Sequence, residues 1–262
     1  MTTSNTSPDA AYLYDTEFYK GQMAGSVRSA FKYVDLLAPL FQPASVVDMG
    51  CGRGTWLKAF KERGATRLVG YDGSWNNQAN MVDSTIEFRS ADLNKPIPNE
   101  QTRFDLAMSL EVAEHLQPPS SEEFVRSLTG LADVVLFGAA FTDQGGTSHI
   151  NEQPHSFWAG HFARFEYAPF DLFRPVFWAD QDIEYWYRQN TFLYVKKNTP
   201  LFNKLTELKR FPIEHIGFMD CVHPALFQAK LRNNDSTINQ LMVKLIPQKL
   251  RPFARQLKRL IK

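Results

Sequence analysis

Three titratable side chains crowd one short stretch of the 262-residue chain: Glu111, Glu114 and His115 in S-L-E-V-A-E-H-L, residues 109–116. If a helical turn begins at Glu111, positions i, i+3 and i+4 share one face. Two carboxylates and an imidazole converging there suit a divalent cation such as Mg²⁺ or Mn²⁺, given one more ligand from another segment. The stretch F-T-D-Q-G-G-T-S-H-I-N-E-Q-P-H, residues 141–155, offers His149, Asn151, Glu152 and His155. The alternative is local: a glutamate caps the helix start, favoured by the dipole, and the histidine packs beneath it. His149 is then the candidate general base, because a neutral imidazole near pH 7 suits proton removal. His155 and His161 read as core or helix-surface histidines.

A second group lies earlier. V-V-D-M-G-C-G-R-G-T-W-L, residues 46–57, places Asp48, Gly50, Cys51, Gly52 and Gly54 in a D-x-G-x-G-x-G pattern where a strand turns into a helix. Glycines let the backbone turn sharply and approach a ligand where a Cβ would collide. A dinucleotide fingerprint wants its third glycine three positions after the second, where this chain has Thr55. An acid ahead of the glycines also favours a ligand bearing an ammonium over one bearing a pyrophosphate. Asp72, followed by Gly73 in L-V-G-Y-D-G-S-W, stands at the end of a second strand and can accept both hydroxyls of a ribose. Asp92 in R-S-A-D-L-N-K-P closes a third.

The elements that must position these residues alternate. Strand-like runs lie at Ser45–Met49, Arg67–Tyr71, Ile86–Arg89, Phe104–Leu110, Val134–Phe141, Phe170–Phe173 and Thr191–Val195, with helical patterns near 26–41, 55–63, 111–131 and 155–166. This alternation predicts an α/β fold: a Rossmann-like, doubly wound, mostly parallel seven-stranded sheet with an antiparallel last strand. Residues 1–23 read as a lead and cofactor lid, with Tyr12, Tyr14, Phe18 and Tyr19 as its aromatic cluster. Residues 24–200 form the main domain, and 201–262 a helical C-terminal appendage.

The glycine loop with acids at three successive strand ends resembles the class I S-adenosylmethionine-dependent methyltransferases over roughly residues 25–197. A bacterial branch of that family shares stretches like G-Y-D-G-S-W, S-L-E-V-A-E-H-L and G-G-T-S-H-I-N-E-Q. The resemblance implies that Asp48, Gly50, Gly52 and Gly54 line the methionine half of S-adenosylmethionine. It further implies that Asp72 holds the ribose and that Asp92 with Leu93 borders the adenine. Cys51, Trp56, Gly73 and Ser109 complete the expected cofactor contacts. The E-x-x-E-H followed by a later histidine resembles the metal site of the small-RNA 2′-O-methyltransferases, and ubiquinone-biosynthesis O-methyltransferases carry a similar E-x-x-E-H. That resemblance makes Glu111, Glu114, His115 and His149 the metal ligands, with Glu111 and His149 as catalytic groups. The metal would bind two adjacent acceptor hydroxyls and lower the pKa of one.

On the acceptor side, R-P-V-F-W-A-D-Q-D-I-E-Y-W-Y-R-Q-N, residues 174–190, brings Trp178, Trp186, Tyr187 and Arg188 together; with Asn151 these suit stacking on a sugar and binding its hydroxyls. The same segment would equally serve as an apolar hairpin on the sheet edge. The first expected function is therefore O-methylation of a sugar or glycan hydroxyl, such as a surface polysaccharide. The second keeps the chemistry and takes a phenol, quinone precursor or other small molecule, which a compact apolar pocket without Arg or Asn would favour. A third class is a methyltransferase fold that binds cofactor or a partner without turnover.

Composition narrows the partners. From Lys244 to Lys262 the chain has seven basic residues and no acid, so the remainder carries −6 against the whole chain's +1. Nucleic acid is not an expected partner on that balance. The tail's Leu250, Phe253, Leu257, Leu260 and Ile261 at helical spacing suit either a basic amphipathic helix on a membrane surface or one packed on its own domain. Two distant cysteines, Cys51 and Cys221, make no C-x-x-C, and the N-terminus shows no signal-peptide pattern. The expected location is the cytoplasm, including the inner face of the membrane.

Overall fold

The computed structural model describes residues 16–97 and 103–232. Of the lead expected over residues 1–23, residues 1–15 lie outside the described residues and 16–23 belong to the first helix; the basic amphipathic tail, within 244–262, also lies outside the described residues. Among those described, no helix is long and apolar enough to cross a membrane.

Helix α1 (Thr16–Leu37) begins earlier than the sequence pattern indicates. Strand β1 (Ser45–Met49), helix α2 (Thr55–Lys61) and strand β2 (Arg67–Asp72) then form the first unit of parallel pairing, with Val47 opposite Val69 and Asp48 opposite Gly70. Strand β3 (Glu87–Ser90) adds to β2. Strand β4 (Leu106–Leu110) crosses to the other side of β1, and helix α3 (Ser121–Leu131) leads into β5 (Val134–Gly138). Helix α4 (His155–Ala163), strand β6 (Tyr167–Phe170), short helices α5 (Arg174–Phe177) and α6 (Tyr185–Asn190), and strand β7 (Phe192–Lys196) follow. The order across the sheet is β3-β2-β1-β4-β5-β7-β6. Strand β7 pairs antiparallel with both β5 and β6, so six strands run parallel and one against them. This is the expected Rossmann-like, doubly wound architecture.

Apart from the edge strand β3, the strands are short and rich in Val, Leu and aromatic residues because both faces are covered. Along β1, Val46 packs into one core with Tyr33 of α1 and Phe60 of α2. Val47 and Met49 point into the other, with Phe124 of α3 and Trp158 and Phe162 of α4. Since connections from β1 and β4 leave toward opposite faces, a crevice opens beyond their carboxyl ends, where ligands bind in such sheets.

Two expected boundaries shift. No helix begins at Glu111; a single 3₁₀ turn, Ala113–His115, and the Pro118–Ser120 turn precede α3. Pro118 and Pro119 lack the amide hydrogens that a continuous helix needs. At the other end, the chain divides into compact units at Met1–Cys221 and Val222–Lys262. Helix α7 (Pro200–Glu207) buries Leu201 and Leu205 in the first core, so the appendage boundary expected after residue 200 falls inside that unit. The described part of the second unit is helical from 224 to 232.

Candidate functional site

A cavity of about 810 Å³ opens at the carboxyl ends of β1, β2, β3 and β4. The glycine loop forms one wall. Gly50 has φ +90, and a Cβ there would overlap the side chain of Val112, so its bareness lets the loop after β4 close against the loop after β1. The amides of Gly50 and Cys51 both donate to the Tyr71 carbonyl, at 2.8 and 3.0 Å, which ties the loop to the end of β2.

Asp72 holds this arrangement from the next strand. One carboxylate oxygen accepts the Gly52 N–H and the other the Gly73 N–H, each at 2.7 Å. Burial raises the Asp72 pKa while those amides pull it down. Asp48 is more deeply buried, and burial followed by the Asp72 charge pushes its carboxyl well above the usual range. Two buried acids beside one cavity leave it short of positive charge, which a cationic ligand supplies. Asp92 lies exposed at the far end, where the Asn94 amide and Lys95 hold its pKa down.

Of the cofactor residues expected from sequence, Asp48, Gly50, Cys51, Gly52, Trp56, Asp72, Gly73, Asp92 and Leu93 line the cavity. Gly54 packs toward Ile86 at the start of α2. Ser109 is fully buried, and its hydroxyl donates to the Met49 carbonyl at 2.8 Å, clasping β4 to β1 instead of facing the cavity. Burial lifts the Cys51 thiol far above its ordinary pKa, so this cysteine is an apolar wall and no nucleophile.

The stretch after β4 separates its three titratable groups. Glu111 adopts φ +57, which turns its side chain away from the following 3₁₀ turn. Its Oε1 accepts from Asn190 Nδ2 at 2.8 Å and its Oε2 from Gln144 Nε2 at 3.1 Å. Burial pushes the Glu111 carboxyl up to about 7, against the pull of these two amides. Glu111 therefore stands apart from the expected metal quartet. The other three meet: ligand atoms of Glu114, His115 and His149 lie within 4.8 Å of one another. The His115 and His149 rings sit edge to face with centroids 4.8 Å apart.

The loop after β5 is strapped to the 3₁₀ turn by backbone bonds. The amides of Ile150 and Asn151 both donate to the Glu114 carbonyl at 2.9 Å. Asn151 Nδ2 donates to the Ala113 carbonyl and to Ser121 Oγ. Asn151 is thus fully engaged in bringing His149 to His115 and does not face the acceptor. Both histidines use Nδ1 elsewhere, His115 with the Ser148 carbonyl at 3.3 Å and His149 with Glu152 Oε1 at 2.7 Å. With Nδ1 donating, the lone pair of each neutral ring is on Nε2, the arrangement of a histidine ligand steadied from behind. Glu114 is wholly buried, and neither carboxylate oxygen has a hydrogen-bond partner. Burial, then the Glu111 charge, raise its pKa well above the ordinary value, which nearby backbone amides ease only in part. A buried carboxyl without partners is costly unless a cation or proton completes it. The donor set of one carboxylate and two imidazoles fits a divalent cation.

The aromatic excursion supplies one cavity residue, Tyr187, whose ring meets Trp56 edge to face at 5.2 Å. Trp178 and Trp186 are half-buried off the cavity, and Arg188 is buried with its Nη1 on the Trp178 carbonyl at 3.2 Å. Trp186 packs against the core that holds Tyr33 and Phe60, and none of the three lines the cavity. Around the acceptor end the cavity instead shows Leu110, Val112, Leu116 and Tyr187 beside Glu111, His115 and Ser148. Trp75, Gln144 and Asn190 are additions that sequence reasoning does not single out. Trp75 lines the cavity with 53% of its surface exposed, folded over Gly73 where a side chain would otherwise stand. A bare Gly73 within G-Y-D-G-S-W is the one local signal for it; Gln144 and Asn190 carry none, since distant segments bring them to Glu111.

Residues 19–142 match a family described as a methyltransferase domain. A mitochondrial ubiquinone biosynthesis O-methyltransferase of Arabidopsis thaliana is 35% identical over 99 residues, covering 35% of this chain and 30% of that protein. The chain thus matches less than a third of this relative's length. The sugar N-methyltransferase of Streptoalloteichus shares the fold with a TM-score of 0.53 at 15% identity, over 76% of this chain and 99% of that one. An O-methyltransferase family protein of Burkholderia thailandensis does so at 0.51 and 16%, over 72% and 62%. Residues 19–142 thus carry a methyltransferase domain, and the glycine loop, the acids at successive strand ends and the seven-stranded sheet are those of the class I S-adenosylmethionine-dependent fold.

Proposed function

We propose that the protein is an O-methyltransferase that moves the methyl group of S-adenosylmethionine to a hydroxyl of a small molecule carrying adjacent hydroxyls, with a divalent cation assisting. The observation that carries this reading is the common wall: Glu111 and His115 face the same cavity as Asp48 and Asp72. Bound S-adenosylmethionine supplies an electrophilic methyl carbon on a sulfonium; the acceptor oxygen bonds to that carbon while the carbon–sulfur bond breaks and sulfur keeps the electron pair. Asp48 and Asp72 hold the cofactor, and the apolar Leu110, Val112 and Leu116 exclude water from the acceptor. Glu111, fixed by Asn190 and Gln144, receives the hydroxyl proton. Glu114, His115 and His149 would hold Mg²⁺ or Mn²⁺, whose contribution is Lewis-acid polarisation of the acceptor hydroxyls.

Between the two acceptor classes, the apolar acceptor end supports a phenolic compound with adjacent hydroxyls. Arg188 and Asn151, on which sugar binding leaned, are engaged elsewhere. The ubiquinone-biosynthesis relative points the same way. A sugar diol is the second reading, favoured by Tyr187 and the exposed Trp75 on the cavity wall. Incubation with methyl-labelled S-adenosylmethionine, Mn²⁺ and two panels, o-dihydroxyarenes and methyl glycosides, tests this. Label is expected in the arenes; label in the glycosides alone moves the acceptor to the second reading. Label in neither counts against O-methylation of adjacent hydroxyls.

A further inference from the structure

A line of buried polar groups runs behind Glu111 and ends at His155. Gln144 Oε1 accepts the backbone N–H of Phe141 at 3.2 Å, a donor that cannot be reversed. The Gln144 oxygen is therefore fixed, and its Nε2 points to Glu111 Oε2. Asn190 Nδ2 donates to that same Gln144 oxygen at 3.0 Å and to Glu111 Oε1 at 2.8 Å. Turning this amide over would set its oxygen against two acceptors. Asn190 Oδ1 consequently faces away, accepting from Gln189 Nε2 at 3.0 Å and standing 3.1 Å from His155 Nε2. The other ring nitrogen, Nδ1, is 2.9 Å from the Met219 carbonyl oxygen. Both nitrogens of His155 thus meet oxygens that can only accept, and a ring with one proton would leave a lone pair facing an oxygen.

We propose that His155 is a positioning residue held as a buried imidazolium, which through Asn190 orients Glu111 and keeps it ionised to receive the acceptor proton. Charge around the ring agrees. Arg174, whose Nη1 donates to the Met219 carbonyl at 2.7 Å, is already paired with Asp171 at 2.8 Å. Asp220 takes its hydrogen bonds from the amide and hydroxyl of Ser156 and has no cation bonded to it among the described residues. The walls over the ring are apolar, Phe141 at 4.9 Å and Phe192 at 5.2 Å between centroids. Asp220 and Glu111 are then the two carboxylates that a positive His155 balances. Burial first, with Arg174, draws the ring's pKa below its ordinary value, although the Met219 and Asn190 contacts and Asp220 pull it back up; what favours the charged ring is the geometry, in which both nitrogens face acceptors beside a carboxylate. The line joins the loop after β5, the start of α4 and the end of α6, with Asn190 bonded to Gln144, Glu111 and His155 at once.

The role of Glu111 rests on the methyl-transfer reading, whereas the protonation of His155 is measured without turnover, so the two fail separately. Ring ¹⁵N spectra of the whole chain at pH 7.5 are expected to show His155 with both nitrogens protonated. In Glu111→Gln, where the carboxylate charge is gone, its titration point falls by about one to two pH units, as a charge several ångströms away in protein requires. A wild-type ring with one bare nitrogen at pH 7.5 overturns the proposal. So does a doubly protonated ring whose titration is the same in both proteins, because His155 would then not answer to Glu111.

Discussion

Glu111→Gln is expected to lower the rate of methyl transfer by about two to four orders of magnitude, the usual worth of a positioned proton acceptor. The substitution keeps the side chain's length and removes its capacity to take a proton. Glu111 is suited to that task by two opposing influences: burial brings its pKa to about 7, while Asn190 and Gln144 retain the ionised form and aim it. Its positive φ of 57 indicates a backbone held off its preferred region by the hydrogen bond from its amide to the Gly138 carbonyl and by this side-chain clamp. Affinity for S-adenosylhomocysteine is expected to stay within a few-fold of wild type, because Asp48 and Asp72 are untouched. The measurement is single-turnover transfer to the panel compound that wild type modifies. A rate within threefold of wild type would remove Glu111 from the chemistry.

The second large effect concerns Glu114. Mn²⁺ at a hundred times its Kd is expected to stabilise the wild-type fold by about 2.7 kcal/mol, a rise of roughly 5–10 °C in Tm for a chain of this size. In Glu114→Gln that rise should all but vanish. Without metal the order reverses or levels: a carboxyl with neither oxygen partnered is a poor occupant of a wholly buried position, so the amide variant should be at least as stable. Thermal melts of both proteins with and without Mn²⁺ decide this. Equal shifts in the two would mean that the ion binds elsewhere, and no shift in wild type would mean that the trio holds no ion. His115 and His149 carry the same expectation less sharply, since each already has a partner at Nδ1.

Much of the fold is legible because its signals are local. Short apolar runs bounded by Gly, Pro and Asp announce strands, and each of the seven expected strands is present within a few residues. The glycine loop and the acids Asp48 and Asp72 are legible for the same reason, since their places on the cavity wall follow from adjacency to a strand end. What fails is whatever depends on the path between elements. The i, i+3, i+4 spacing of Glu111, Glu114 and His115 predicts one helical face, yet the left-handed φ at Glu111 and Pro118–Pro119 downstream leave only a 3₁₀ turn. Glu111 consequently joins Asn190 and Gln144, two residues from remote segments that no periodicity ties to it. Asn151 reads from sequence as an acceptor ligand because it is polar and beside His149. Its amide is in fact consumed by Ala113 and Ser121. Trp178, Trp186 and Arg188 mislead similarly: an aromatic and basic cluster serves a sugar or a sheet edge equally well until the packing is known.

The central claim is that this cavity binds S-adenosylmethionine through Asp72 and the glycine loop, and titration calorimetry with S-adenosylhomocysteine tests it most directly. Asp72 pins the Gly52 and Gly73 amides, and in the proposed complex its remaining lone pairs accept the ribose hydroxyls. Binding of one equivalent is predicted for wild type. Asp72→Asn should weaken it about tenfold to a hundredfold, the range for loss of one or two hydrogen bonds to a charged group. Wild-type protein that shows no binding, or an Asp72→Asn variant that binds as wild type does, would contradict the account.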